Sequence, residues 1–277
     1  MKRSRWLWGF IGLASLIATL VFVFGFVYAV NDILNPSAAT MGKEAAEPSE
    51  SVPVTVPDPE KEYRITALGD SLTKGTGDEG GKGYVGYVAE KLGKTTGRKV
   101  TVVSNMAVNG YVSEQLLSDL ETKKGTAYAI RQANLILLTI GGNDLSQAAL
   151  AQNGGRNNLS EVSGIDPEKL EKQLKAPKEN VKKILSLLSE INPEAKVVYV
   201  GLYNPYYEAD ESRRSSVVIQ KWNGDVYETV NANPLMTLVP TQDLFEKKVT
   251  HYLAADQFHP NGAGYERIAD RIVQALQ

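Results

Sequence analysis

From Tyr63 onward, short apolar runs rich in Val, Ile, Leu and Thr alternate with longer segments of helical period, and that alternation leaves few folds open. Tyr63–Leu68, Val100–Asn105, Leu135–Ile140, Lys196–Gly201 and Met236–Val239 read as buried strands. Between and after them, Tyr84–Leu92, Val112–Glu121, Pro167–Ile191, Arg213–Val230 and Gly262–Leu276 read as helices. Pro167 after Asp166 suits a helix start, and Pro177 threatens a kink. Near-continuous apolar strands separated by helices imply a parallel sheet covered on both faces, an α/β architecture of three layers. Ligands of such sheets collect beyond the carboxyl ends of the strands. Gly154, Gly155, Asn157 and Asn158 mark 151–164 as a loop or small insertion.

The first sixty residues have a different character. Lys2, Arg3 and Arg5 precede an uncharged apolar stretch from Trp6 to Val30, roughly 37 Å long as a helix at 1.5 Å per residue. That length exceeds a ~30 Å hydrocarbon core, so residues 1–33 read as a transmembrane anchor, with a cleaved signal segment as the alternative. The basic flank would keep the N-terminus cytoplasmic and export the rest, giving a single-pass cell-membrane protein with an extracytoplasmic domain, or a secreted one after cleavage. Residues 34–62 carry Pro36, Pro48, Pro53, Pro57 and Pro59 among Ala, Ser, Thr and Glu and read as a disordered linker, which leaves 63–277 as one folded domain. Without Lys2, Arg3 and Arg5 the remainder carries 27 basic against 32 acidic side chains, so no basic nucleic-acid footprint exists. The absence of cysteine excludes disulfides and thiolate metal sites, and two histidines make a His-rich metal site unsuited to this chain.

Three polar blocks lie where strands end. Gly69-Asp70-Ser71-Leu72 follows the first strand, Asn105-Met106-Ala107-Val108-Asn109-Gly110 the second, and Gly141-Gly142-Asn143-Asp144 the third. A fourth, Asp256-Gln257-Phe258-His259, precedes the final helix. A serine on the turn after a strand, with a histidine and a carboxylate elsewhere to activate it, is what serine acyl transfer requires. Of the two histidines, His259 has Asp256 three residues before it and a turn after it, whereas His251 has no acid at close spacing and reads as a structural or surface residue.

Taken in order, the four blocks resemble the SGNH hydrolases, the GDSL lipase and esterase superfamily, over Tyr63 to Gln277, and more narrowly its membrane-anchored or secreted bacterial members. The resemblance implies a three-layer α/β/α sandwich with a flavodoxin-like parallel sheet. It also implies a catalytic set of Ser71 as nucleophile, His259 as general base then acid, and Asp256 as the carboxylate orienting the histidine. The backbone N–H groups of Ser71 and Gly110 and the Asn143 side-chain amide would bind the oxyanion. No metal or organic cofactor is implied. The substrate would be an ester: a lipid, a short-chain ester or an acetylated glycan. An acyltransferase, or an O-acetyl esterase acting on cell-envelope glycans, is the alternative activity.

Other features carry blander readings. Asp70 is expected to fix its loop, and Asp144 to be a turn or cap residue supporting Asn143. Tyr203, Tyr206 and Tyr207 suit aromatic packing better than a pocket wall. Gly75-Thr76-Gly77-Asp78-Glu79-Gly80 spells a dinucleotide-binding glycine pattern. Its first glycine falls six residues past Gly69, off the strand-to-helix turn, and no acid closes the second strand, so a mobile loop beside the site is expected instead.

Overall fold

The five apolar runs form five parallel strands: β1 (Glu62–Gly69), β2 (Lys99–Asn105), β3 (Leu135–Thr139), β4 (Lys196–Val200) and β5 (Met236–Val239). They lie in the order β2-β1-β3-β4-β5, the flavodoxin-like doubly wound order. A computed structural model describes residues 61–152, 166–208 and 210–277, together with Thr19. Apart from Thr19, the apolar stretch Trp6–Val30, the proline-rich linker up to Glu60 and most of the 151–164 loop lie outside the described residues. Among the described residues no helix is long and apolar enough to cross a membrane.

Side chains alternate across the sheet because successive residues of a strand point to opposite faces. Ile65, Ala67, Leu135, Leu137, Val198 and Val200 pack toward one layer, with α2 (Gly83–Thr96) and α10 (Gly262–Ala275). Leu68, Ile136, Leu138, Val197 and Tyr199 pack toward the other. That second layer is built from α3 (Ser113–Thr122), α4 (Lys124–Arg131), α5 (Gly142–Gln152), α6 (Pro167–Ile191) and α7 (Arg214–Asn231). Three single-turn helices complete the elements among the described residues: α1 (Ser71–Lys74), α8 (Gln242–Phe245) and α9 (Val249–Tyr252).

Three local expectations are corrected. β2 is not a buried strand: it forms the sheet edge, has a strand partner on one flank only, and leaves Val102 40% exposed. Helix α6 runs through Pro177 without a break. A proline inside a helix costs about 3 kcal/mol. The apolar stripe of Leu170, Leu174, Val181, Ile184, Leu185 and Leu188 is buried, each side chain contributing about 1.5–3 kcal/mol, which outweighs the lost turn. Ala151 and Gln152, read as loop, finish α5.

The end of β1 is unusually close to the end of β3. Gly69 has φ +126° and stands so near the Thr139 carbonyl that an added Cβ would fall 1.8 Å from its oxygen. The next N–H, that of Asp70, donates to the same oxygen at 3.2 Å. Gly97 has φ +69° but open space around it. Gly97→Ala should therefore cost only the left-handed backbone strain, about 1–2 kcal/mol. Gly69→Ala adds a backbone collision to that strain, and its thermal midpoint should fall at least twice as far; equal shifts in the two variants would contradict the close approach.

Candidate active site

Ser71 opens α1 directly after the Gly69–Asp70 turn. As the first residue of a helix, its N–H has no intrahelical acceptor. Its Oγ lies 2.8 Å from His259 Nε2, across 188 residues of sequence. His259 Nδ1 lies 2.6 Å from Asp256 Oδ2. A carboxylate only accepts, so Nδ1 carries the proton and Nε2 is left to accept from the serine hydroxyl. The other carboxylate oxygen, Asp256 Oδ1, accepts from the N–H groups of Phe258 and His259 at 3.0 Å each. One carboxylate thus folds the Asp-x-x-His turn and orients the ring. Burial works against the Asp256 charge, but these hydrogen bonds outweigh it and hold the carboxyl below its ordinary value.

Beneath Ser71, Asp70 caps α1 by accepting from Leu72 N–H at 3.1 Å. It also accepts from Thr139 Oγ1 at 2.7 Å. With Thr139 committed as donor to Asp70, the contacts Thr73 Oγ1···Thr139 Oγ1 (2.7 Å) and Tyr84 Oη···Thr73 Oγ1 (2.6 Å) form a one-way chain of hydroxyls ending on the carboxylate. Thr73, Tyr84 and Thr139 are all buried. Their roles were missed in the sequence because each reads as an ordinary strand or helix residue. Burial raises the Asp70 carboxyl to about 7, against the opposing effect of its hydrogen bonds.

Gly110 is exposed, with φ +80° and open space around it. The Asn143 amide donates to the carbonyl of the next residue, Tyr111, at 2.8 Å. An amide nitrogen carries two hydrogens, so this bond fixes the plane of the side chain and leaves a second donor. Asp144 acts across the structure, away from its own loop. Its carboxylate accepts from Ser113 N–H at 2.9 Å and Ser113 Oγ at 2.7 Å, and Asn180 Nδ2 donates to Ser113 Oγ at 3.3 Å. The Gly110 loop and the Asn143 helix are therefore tied together at two adjacent points. Ser113 carries an N-terminal helix signal in the sequence, but its distant partner does not.

The glycine run 75–80 is not a loose loop. Asp78 accepts from Gly80 N–H (2.9 Å), Lys82 N–H (3.1 Å) and Gly83 N–H (2.9 Å), and Tyr265 Oη donates to Thr76 O at 2.7 Å. Gly77, at φ +95°, lies against the histidine turn, where a Cβ would come within 2.9 Å of His259 Cβ and 2.6 Å of Pro260 O. The run is a buttress for His259. The tyrosines divide between the two readings. Tyr203 stacks on Phe245 (4.1 Å between centroids) and donates to Phe258 O, while Tyr203 and Tyr206 also wall a pocket. Tyr207 lies under the Arg213 guanidinium at 3.8 Å. His251 is exposed, with its ring edge-on to Tyr252. Among the described residues no cluster of His, Asp and Glu could hold a metal ion.

The shifted carboxyl of Asp70 carries a pH signature. An unfolded Asp ionises near pH 3.9, whereas the folded protein keeps this proton until about 7. Between those values the native state binds more proton than the unfolded state, so stability contributed by Asp70 falls as pH rises and levels off above about 7. The stability of Asp70→Asn relative to the parent should accordingly improve from pH 4 to pH 7 in urea titrations. A difference constant across that range would remove the raised carboxyl from the account.

The GDSL-like lipase/acylhydrolase family model matches residues 67–267. The chain is 35% identical over 216 residues to the uncharacterized protein YpmR of Bacillus subtilis (strain 168), covering 77% of this chain and 81% of that one. It is 26% identical to the spore germination lipase LipC of Bacillus licheniformis, covering 76% and 94% of the two chains. In structure it is similar to the lipase Lip_vut3 from a goat rumen metagenome, with a TM-score of 0.66 at 23% identity, over 77% of this chain and 97% of that one. The chain belongs to the GDSL-like lipase/acylhydrolase family and is a carboxylic ester hydrolase of that type.

Proposed function

We propose that this enzyme hydrolyses esters through an acyl-serine intermediate on Ser71. The observation that carries the proposal is the unbroken line Ser71 Oγ, His259 Nε2, His259 Nδ1, Asp256 Oδ2, with hydrogen-bond separations of 2.8 and 2.6 Å. Ser71 Oγ attacks the ester carbonyl as its proton passes to His259 Nε2. The carbonyl oxygen, now an anion, is received by the N–H groups of Ser71 and Gly110 and by the second N–H of Asn143. Collapse of that adduct breaks the bond to the alcohol oxygen, which takes the proton from His259. Water then enters, gives a proton to His259 and attacks the acyl carbon. Release of the acid restores the Ser71 hydroxyl. Asp256 stays ionised throughout and stabilises the imidazolium, in keeping with its depressed pKa.

Asn143 meets a full negative charge in the transition state and only a carbonyl dipole in the bound ester. Its contribution therefore falls on turnover. With a p-nitrophenyl ester, Asn143→Ala should lower kcat about 10²–10³-fold with KM nearly unchanged. Ser71→Ala should lose far more, about 10⁴–10⁶-fold. Near-parental kcat in Asn143→Ala, with chemistry rate-limiting, would take Asn143 out of the oxyanion site. Activity surviving in Ser71→Ala would sink the acyl-serine reading altogether.

The domain acts, in this proposal, outside the cytoplasmic membrane at the end of a tether. Support comes from Lys2, Arg3 and Arg5 before the uncharged Trp6–Val30 stretch, followed by the proline-rich segment. Full-length protein should sediment with membranes, and protease added to spheroplasts should remove the domain. A membrane-bound domain protected from external protease, or a full-length protein found in the cytosol, would contradict the tether.

A further inference from the structure

An apolar pocket of about 370 Å³ opens beside the nucleophile, and three of its lining residues adjoin members of the site in sequence: Leu72 after Ser71, Gly142 before Asn143, and Phe258 before His259. From there it extends between α5, the start of α6 and the start of α7, past Leu145, Ala149, Leu170 and Val218. Resting on the acyl-serine reading, we propose that this pocket holds the acyl chain of the substrate. We further propose that it selects single, medium-length chains, with Ala149 setting the accepted length.

Which half of the ester occupies the pocket follows from the order of events. The acyl group stays bound to Ser71 through both half-reactions, so it can sit in a dry recess. The alcohol has to leave before water can attack, so its path has to be open. Gly77 and its loop already close one flank of His259, and the recess opens where Leu72, Gly142 and Phe258 line it. An acetylated sugar would place a single methyl group there and leave the apolar lining unfilled.

Length follows from helix geometry. Gly142 and Ala149 are seven residues apart on α5, about 10 Å at 1.5 Å per residue. An extended alkyl chain with ~1.5 Å bonds advances roughly 1.3 Å per bond, so about eight carbons span that distance. The volume is at the small end of the ~300–1,000 Å³ typical of ligand pockets, which suits a single chain. The small side chains of Ala149 and Ser146 leave the channel open, where a Phe would block it.

The test is a series of p-nitrophenyl esters from acetyl to palmitoyl, run beside a series of n-alkyl acetates in which only the alcohol lengthens. For the acyl series kcat/KM should rise about three- to fourfold per methylene up to about octanoyl, then level or fall. The alkyl acetates should show little dependence on length. Ala149→Phe should lower the octanoyl-to-acetyl ratio of kcat/KM at least 30-fold and move the optimum to butyryl or shorter. Should that variant fail to fold, Ser146→Phe, at a half-exposed position on the same helix, should shift the ratio in the same direction. A flat acyl profile, length dependence confined to the alcohol series, or an unchanged ratio in a folded variant would overturn the pocket assignment while leaving the serine mechanism standing. Failure to turn over any ester would strike the serine mechanism and this inference together.

Discussion

The close approach of Gly69 to the Thr139 carbonyl is the constraint on which the rest of the site depends. Two neighbouring parallel strands end side by side there, and no side chain fits between their backbones. The chain leaving β1 turns at once into α1, so that Ser71 stands at the carboxyl edge of the sheet. Asp70 then stitches that turn to β3 through the Thr139 hydroxyl. A buried carboxylate is costly unless it is well hydrogen-bonded, and the hydroxyl chain from Tyr84 through Thr73 supplies that support. Its raised pKa lets the group remain protonated across much of the acid range.

Around Ser71 the other groups of the site are held by short-range contacts and not by loop stiffness alone. Asp256 folds its own turn and orients the imidazole with the same carboxylate. Gly77 fills the space behind His259. On the opposite side, Asn143 grips Tyr111 O while Asp144 grips Ser113, so the two elements offered as oxyanion donors are tied to each other. Preorganisation of this kind lowers the reorganisation needed when charge develops. The apolar pocket begins where these braces end, between helices of one layer only.

Much of this was legible in the sequence. The five strands were visible because each is a compact β-branched or aliphatic run, and the central ones stay apolar because both their faces are covered. The choice of His259 was legible because only two histidines exist and one has an acid at turn spacing, while the grouping of Ser71 and Asp256 with it rested on the resemblance carried by the four blocks. Other features depended on partners far away in the chain. Helix α4 was missed because Gly125, Thr126 and Ile130 dilute its helical signal. Helix α5 was missed as a whole, because the glycines and Asn143 of the third block break the helical pattern where it begins. The glycine run looked loose because composition does not reveal that Asp78 collects three backbone N–H groups. Asp144 was assigned to its own loop because Ser113, thirty-one residues away, gives no local sign of the pairing.

The central claim is that Ser71, activated through His259, becomes acylated during turnover. A fluorophosphonate reacts only with a serine so activated and leaves a tetrahedral adduct resembling the proposed intermediate. Peptide mapping by mass spectrometry after labelling should place one adduct per chain on the peptide containing Ser71, and none in Ser71→Ala. An adduct mapped to a different serine, or labelling undiminished in Ser71→Ala, would contradict the account.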